Sequence, residues 1–105
     1  MFTRCAIFEG RILDGREDEF FARIEANLLP LWRQFPHALD VRLLRPVQAD
    51  SDAPPIVAVQ EIDYPSLAAI EEALSSSIRT QARAETMKLM DIFSGRFFHL
   101  ICRPT

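Results

Sequence analysis

Apolar and polar positions along the chain follow two periods, and the first change of period separates a strand from a helix. Phe2–Ile12 is a short apolar run that stops at the turn pair Asp14-Gly15, as a strand would. From Arg16 onward, apolar residues recur every three or four positions, which predicts an amphipathic helix. Its apolar stripe is Phe20, Phe21, Ile24, Leu28, Leu31, Trp32 and Phe35.

Two prolines shape this predicted helix. Pro30 lies inside the periodic stretch and predicts a kink or a break near Asn27, because proline removes a backbone donor. Pro36 ends the helix. The rest of the chain predicts, in order, a strand over Leu39–Val47, a polar loop over Gln48–Pro55, a strand over Ile56–Ile62, a helix opened by Asp63–Ser66 and interrupted at Ser75–Ser77, a turn at Ser94-Gly95 and a strand over Phe97–Cys102.

The resulting order of elements is β-α-β-β-α-β, which is the ferredoxin-like arrangement of the α+β class. It predicts one domain over residues 1–105, with a four-stranded antiparallel sheet in the order 4-1-3-2 and both helices on one face. Fold class alone predicts no activity.

Strand parity divides the predicted sheet into two faces, because successive side chains point to opposite sides. One set has no polar side chain at the strand centres, and we expect it to face the helices: Cys5, Ile7, Val41, Leu43, Val57, Val59, Phe98, Leu100 and Cys102. The other set mixes apolar and polar residues, and we expect it to form the open face: Phe2, Arg4, Ala6, Phe8, Arg42, Leu44, Ile56, Ala58, Gln60, Phe97, His99 and Ile101.

The expected open face is still too apolar for a soluble monomer, which rarely exposes more than a few hundred Å² of contiguous apolar surface. This predicts a homodimer in which two such sheets pack face to face and enclose a cavity between them. The alternative is that the parity slips at a β-bulge and the second face is solvated.

Four polar residues on the expected inter-sheet face are candidates for chemistry: Arg4, Arg42, Gln60 and His99. Arginines can fix a carbonyl or anionic oxygen by charge-assisted hydrogen bonds, and a histidine can exchange a proton near neutral pH. We therefore expect His99 and Arg4 to be catalytic residues if the protein is an enzyme. The expected substrate-binding residues are Arg42, Gln60, Phe8, Phe97, Asn27 and Trp32.

Each candidate also has a purely structural interpretation. Arg4 and Arg42 could form salt bridges across the dimer, to Glu9 or Glu61, and His99 could be simply hydrogen-bonded. The series Arg79, Arg83 and Lys88, interleaved with Glu85, has helical spacing and is typical of a solvated helix face. The two cysteines, Cys5 and Cys102, are flanked by apolar residues and are expected to be buried, inert thiols.

Composition excludes several classes of function. The 105 residues are 49% hydrophobic and carry a net charge of −3, which argues against a nucleic-acid or acidic-membrane partner. No apolar run approaches the roughly 20 residues of a membrane span, and the N-terminus has no signal-peptide core, so we expect a cytoplasmic protein. The sequence has no glycine-rich phosphate loop, no metal-ligand spacing and no Ser-His-Asp pattern, and we expect neither cofactor nor metal.

Four stretches resemble the dimeric α+β barrel superfamily, and within it the EthD-like and stress-responsive barrel proteins. They are Met1–Phe8, Leu29–Trp32, Phe35–Leu39 and Phe93–Arg96, and together the resemblance spans nearly the whole chain. The chain departs from the family at three places: Leu28 and Arg4 stand where relatives often carry histidine, and Pro36-His37-Ala38 replaces Pro-Gly-Leu.

The resemblance implies a homodimer that binds a small hydrophobic carbonyl or phenolic compound as an accessory in a catabolic or biosynthetic pathway. A second hypothesis is a cofactor-independent monooxygenase, isomerase or cyclase that would polarise its substrate through Arg4, Gln60 and His99. A third is a structural or interaction dimer with a filled interior.

Overall fold

A four-stranded sheet covered on one face by helices makes up the computed structural model, which describes all of residues 1–105. The elements are β1 (Phe2–Ile12), α1 (Glu17–Asn27), α2 (Leu29–Trp32), β2 (Asp40–Leu44), β3 (Ile56–Tyr64), α3 (Leu67–Leu74), α4 (Ser77–Lys88), a 3₁₀ turn (Leu89–Asp91) and β4 (Phe93–Cys102). None of the helices is long and apolar enough to cross a membrane.

The strand order is β2-β3-β1-β4, and every neighbouring pair is antiparallel. This confirms the predicted ferredoxin-like order of elements and sheet. β1 is central because it is the longest strand and pairs with β3 on one side and β4 on the other. A β-bulge lies in the β1–β3 pairing between Phe8 and Glu9, near the end of β1.

The helices begin and break where the sequence predicts. α1 ends at Asn27, and the chain resumes as α2 with Pro30 in its first turn, where a missing N–H costs nothing. The side chain of Ser66 accepts a hydrogen bond from the Ala69 N–H (3.1 Å) and caps α3. Ser76 caps α4 in the same way, which confirms the interruption within Ser75–Ser77.

Several predicted boundaries are wrong. β2 ends at Leu44, two residues before Pro46, whereas β3 continues to Tyr64, into the segment expected to open a helix. β4 begins at Phe93, so the predicted turn at Ser94-Gly95 is part of a strand. Gly95 pairs there with Gly10 of β1, and both have φ near +150°. The backbone at each glycine occupies the space that a side chain on the other would need.

The assignment of faces is wrong for β1, β3 and β4, and correct for β2. The helices cover the set expected to be open, of which Phe8, Ala58 and Gln60 are at most 4% exposed. The Phe8 ring packs edge-on against Phe20 of α1, with 6.0 Å between ring centroids. Apart from Val57, which lies at the β-bulge and packs against the core, the apolar residues of these strands expected to face the helices lie instead on the open face. They include Cys5, Ile7, Val59, Phe98 and Leu100.

The two cysteines follow this exchange of faces. Cys5 is half-buried and Cys102 is exposed, both as free thiols, so the expectation of buried thiols is wrong for the single chain. They lie on neighbouring strands, since Cys5 pairs with Leu100 and Cys102 with Thr3.

Candidate functional site

A cavity of about 50 Å³ lies between the sheet and the helices α2 and α4. Its volume allows a few ordered water molecules or a small chemical group. The lining residues come from β1, β3, β4, α4 and the stretch from α2 to Phe35: Arg4, Ala6, Phe8, Trp32, Phe35, Gln60, Arg79, Ala82, Arg83, Thr86, Phe97 and His99.

The sheet side of the cavity is set by strand register. Ala6 on the central strand pairs with Gln60 of β3 and with His99 of β4, so these three side chains stand in a row on the same face. Arg4 and Phe8 lie two residues to either side of Ala6 and therefore share its face. Because the methyl group of Ala6 is small, it leaves space between the two longer polar side chains.

The helix side of the cavity combines aromatic walls with two cations. Trp32 ends α2 and is 4% exposed, and Phe35 follows it by one helical turn. Arg79 and Arg83 stand four residues apart on α4, which places them on one side of that helix. Thr86, one further turn along, donates its hydroxyl proton to the Ala82 carbonyl (3.0 Å).

Three guanidinium groups line the cavity and no carboxylate does. Arg4, Arg79 and Arg83 take part in none of the ion pairs of the protein. Burial lowers the pKa of Arg4, Tyr64 opposes that shift, and Arg79 adds to it by charge repulsion. A partly buried, unpaired cation is costly, because it loses water without gaining a counter-charge.

His99 is the titratable group of this site, and its pKa is lowered to about 4. The first cause is desolvation, and the charges of Arg4, Arg79 and Arg83 add to it. His99 is nevertheless an exposed residue of the edge strand β4, and its ring meets Phe97 edge-on with 6.0 Å between ring centroids. At pH 7 the imidazole is therefore neutral and can accept a proton or a hydrogen bond.

Gln60 supplies an unused acceptor. Its Oε1 is buried and has no hydrogen-bond partner in the protein, although buried amides are normally paired. The hydroxyl of Tyr64 on the same strand is also buried without a partner, and burial raises its pKa. Of these two residues, Gln60 lines the cavity and Tyr64 does not. Gln60 Oε1 could therefore accept a hydrogen bond from a molecule held there.

Six of the eight candidate residues from the sequence line this one cavity: Arg4, Phe8, Trp32, Gln60, Phe97 and His99. The structure places them beneath the helices, which corrects the expectation that they lie between two sheets. The cavity belongs to a single chain.

Arg42 lies outside the cavity, on the open face, and so is not brought together with the other candidates. Its guanidinium pairs with Glu61 (2.9 Å), Asp63 (2.9 Å) and Asp40 (2.8 Å). The structural alternative from the sequence was a salt bridge across a dimer, with Glu61 as one partner, whereas the pair with Glu61 forms within one chain. Arg42 also holds the pKa of Asp63 below its ordinary value, and a hydrogen bond from Thr3 contributes to that shift.

Asn27 is the second candidate outside the cavity. It ends α1 and lines separate surface depressions beside Glu85 of α4. The kink at the α1–α2 break was predicted correctly, but the break turns Asn27 away from Arg4 and His99.

Sequence reasoning missed the contributions of α4 and of Phe35. Arg79, Arg83 and Lys88 were predicted to form a solvated face interleaved with Glu85, and Arg83 and Lys88 are exposed. Arg79 and Arg83 also line the cavity, which the spacing alone did not show. Glu85 in fact pairs with Lys88 (2.9 Å) and leaves both arginines without an acid. Their spacing of four residues indicated that the two arginines share one side of the helix. Only the structure, in which α4 lies over the sheet, shows that this side lines the same cavity as His99.

The arrangement can bind and polarise an oxygen but offers no metal site. No three His, Cys, Asp or Glu side chains converge in a way that could hold a metal ion. The cations can stabilise negative charge on a carboxylate, phenolate or enolate, and neutral His99 can accept a proton beside them.

Comparison with solved structures shows that the whole chain shares its fold with proteins of the family the sequence resembles. An ethyl tert-butyl ether D (EthD) family protein from Bacillus halodurans superimposes with a TM-score of 0.76 and 16% identity, covering 100% of this chain and 99% of that chain. An antibiotic biosynthesis monooxygenase gives a TM-score of 0.66 at 15% identity, covering 100% and 99%. A dimeric protein of ferredoxin-like fold from Bacteroides fragilis gives 0.68 at 6% identity, covering 96% and 93%.

These comparisons confirm the resemblance to EthD-like and related α+β barrel proteins at the level of the fold. No protein-family model matches the chain, and a search of curated proteins finds no match. At such low identities, activity must be argued from this chain's own residues.

Proposed function

We propose that the protein binds a small hydrophobic molecule, bearing a carbonyl or phenolic oxygen, in the cavity between its sheet and α4. The observation that carries this proposal is the convergence of unpaired polar groups and aromatic walls on one space. Ligand pockets are mostly apolar with a few convergent polar groups, and this lining has that composition.

The polar groups favour an oxygen-bearing ligand over a purely apolar one. Arg4 and Gln60 approach the cavity from neighbouring strands, and neither side chain has a hydrogen-bond partner within the protein. A ligand oxygen would accept from the guanidinium, and a ligand hydroxyl would donate to Gln60 Oε1. Such bonds return part of the free energy that burial of these groups costs.

A second candidate function is cofactor-independent catalysis by proton transfer, and the position of His99 beside three guanidinium groups favours it. With a pKa of about 4 the imidazole is a weak base in the free protein, and an anionic substrate would raise that pKa. The imidazole could take a proton from a phenol or from carbon next to a carbonyl. The resulting phenolate or enolate would lie beside the guanidinium groups, which stabilise the developing negative charge. An antibiotic biosynthesis monooxygenase shares the fold, which is compatible with this second candidate.

Filling the cavity tests the binding proposal without altering a charge. Ala6→Leu places a larger side chain between Gln60 and His99, and we expect it to abolish the thermal stabilisation that phenolic, quinone and lactone ligands give to the wild type. Ala68→Leu, on the exposed side of α3, is the matched control and should bind as the wild type does. Circular dichroism checks that Ala6→Leu remains folded.

The proposal is contradicted if no member of the screen stabilises the wild type. It is also contradicted if folded Ala6→Leu binds every ligand as well as the wild type.

We further propose that the protein is a homodimer, formed through the open face of the sheet. Ile7 of β1 pairs with Val59 of β3 and Phe98 of β4, so three apolar side chains stand abreast on that face with no element of this chain above them. A second copy of the same face is a self-complementary cover for such a patch. A dimeric protein of ferredoxin-like fold among the structural neighbours supports this arrangement.

A further inference from the structure

We infer that the ligand of the cavity is an organic carboxylate, whose anionic head is held by Arg79, Arg83 and Arg4 while its apolar body stays at the cavity mouth. This inference rests on the proposed function and narrows its ligand class from carbonyl and phenolic compounds to anions.

The first argument is charge balance. Three guanidinium groups reach one cavity from β1 and from two successive turns of α4, and none has an acidic partner in the protein. The chain as a whole has an acidic excess, with a net charge of −3, so carboxylates are plentiful elsewhere on the surface. Their absence from the cavity lining leaves a local charge that an incoming anion would neutralise.

A comparison within the protein strengthens this argument. Arg42 on the open face contacts three carboxylates, and Arg96 pairs with Glu9 at 2.9 Å. These pairs show that other arginines of the sheet are given partners by the fold. The fold supplies no such partner to Arg4, which is half-buried on the helix-covered face.

The second argument is shape. A planar guanidinium can donate two parallel hydrogen bonds to one carboxylate. Arg79 and Arg83 of α4 carry such groups at the cavity. The cavity of about 50 Å³ is far smaller than the roughly 300–1,000 Å³ of pockets that enclose whole ligands. It therefore encloses a head group, while an aromatic ring can pack at the mouth beside the partly exposed Phe97.

Matched acid and amide pairs test the inference, because they differ in charge and hardly in shape. The probes are benzoate and benzamide, salicylate and salicylamide, and 2-naphthoate and 2-naphthamide, measured by titration calorimetry at low salt. We expect at least one acid to bind the wild type about tenfold or more tightly than its amide. The double variant Arg79→Gln, Arg83→Gln should remove that preference, and Arg33→Gln, an exposed arginine outside the cavity, should keep it.

The possible outcomes separate this inference from the proposed function. If amides or other uncharged ligands bind as well as the acids, the carboxylate inference is overturned and the binding proposal stands. If phenyl phosphate binds and no carboxylate does, the site takes anions but the carboxylate assignment is wrong. If the double variant keeps the preference for acids, these arginines do not hold the head group. If no probe and no screened compound binds, both proposals fail.

Discussion

A neutral histidine surrounded by cations is the feature that most constrains the chemistry of this protein at the scale of single residues. His99 faces Arg4 from β1 and Arg79 and Arg83 from α4, and it has no carboxylate beside it. In the free protein its base strength is therefore low, with a pKa of about 4. A bound anion would offset the three charges and raise that pKa, so ligand and proton should bind together.

Removing one cation tests this electrostatic description without any ligand. Arg79→Gln takes away a positive charge that disfavours imidazolium, and we expect the pKa of His99 to rise from about 4 toward its ordinary value of 6.5. NMR titration of the His99 imidazole protons measures the pKa in the wild type and in the variant. Arg33→Gln should leave the His99 titration unchanged. A wild-type His99 that titrates near 6.5 would contradict the description.

The candidate site could be predicted in part from single residues, because polar side chains that interrupt apolar strands need a physical reason. That criterion selected Arg4, Gln60 and His99, which the structure brings together around one cavity, since each costs free energy if buried without a partner. It could not separate them from Arg42, which interrupts β2 in the same way but has three carboxylate partners. Only the register between β2 and β3 shows which arginine is paired.

At the scale of elements, β1 and β4 depend on a close approach of two glycines. A Cβ on Gly10 would lie 2.2 Å from the Ser94 carbonyl oxygen and 2.7 Å from the Gly95 Cα, and these are backbone atoms that cannot turn aside. The pair Ser94-Gly95 predicted a turn in the sequence, because glycine commonly marks turns and loops. The alternative, two glycines opposed in a strand pair, becomes visible only with the register.

Alanine substitutions at two glycines separate close approach from backbone strain. Gly10→Ala should lower the free energy of unfolding by about 3 kcal/mol or more, because a positive φ and a backbone clash act together. Gly15→Ala is the control, since Gly15 has φ +75° but no atom within 4 Å of the added Cβ, and about 1 kcal/mol is expected. Urea unfolding measures both, and equal losses would show that the clash contributes nothing.

The order of the elements could be predicted, but several strand boundaries and the face that the helices cover could not. The wrong assignment assumed that the wholly apolar set of strand residues must lie under the helices. In the structure the helix-covered face contains a cavity and so tolerates Arg4, Gln60 and His99, while the wholly apolar residues are left outside. Both faces carry enough apolar side chains to be buried, so periodicity alone gives no basis for the choice.

At the scale of the whole molecule, this exchange of faces strengthens the case for a dimer and separates it from the ligand site. The open face now holds an apolar patch across β1, β3 and β4 that includes Ile7, Val59 and Phe98. This patch lies beside the ion pairs of Arg42 with Glu61 and Asp63. The cavity lies on the other side of the same sheet and is lined by one chain. Dimer formation and ligand binding are thus predicted to be independent. If the cavity were enclosed by two sheets, ligand binding would require the dimer.

A single charge on the open face tests both parts of this prediction. Ile7→Lys places an ammonium group at the centre of the patch, where burial against a second copy would be strongly unfavourable. We expect light scattering at micromolar concentration to show a dimer for the wild type and a monomer for the variant. Val47→Lys, at a loop residue that is 91% exposed, should remain dimeric.

The Ile7→Lys monomer should still bind any ligand that stabilises the wild type, with affinity changed by no more than a few-fold, because Ile7 points away from Ala6 and the cavity. A monomeric wild type would contradict the dimer alone. A folded monomeric variant that has lost ligand binding would show that a second copy completes the site. That result would place the ligand-binding site between the sheets of two copies, and the cavity within a single chain would no longer be the binding site.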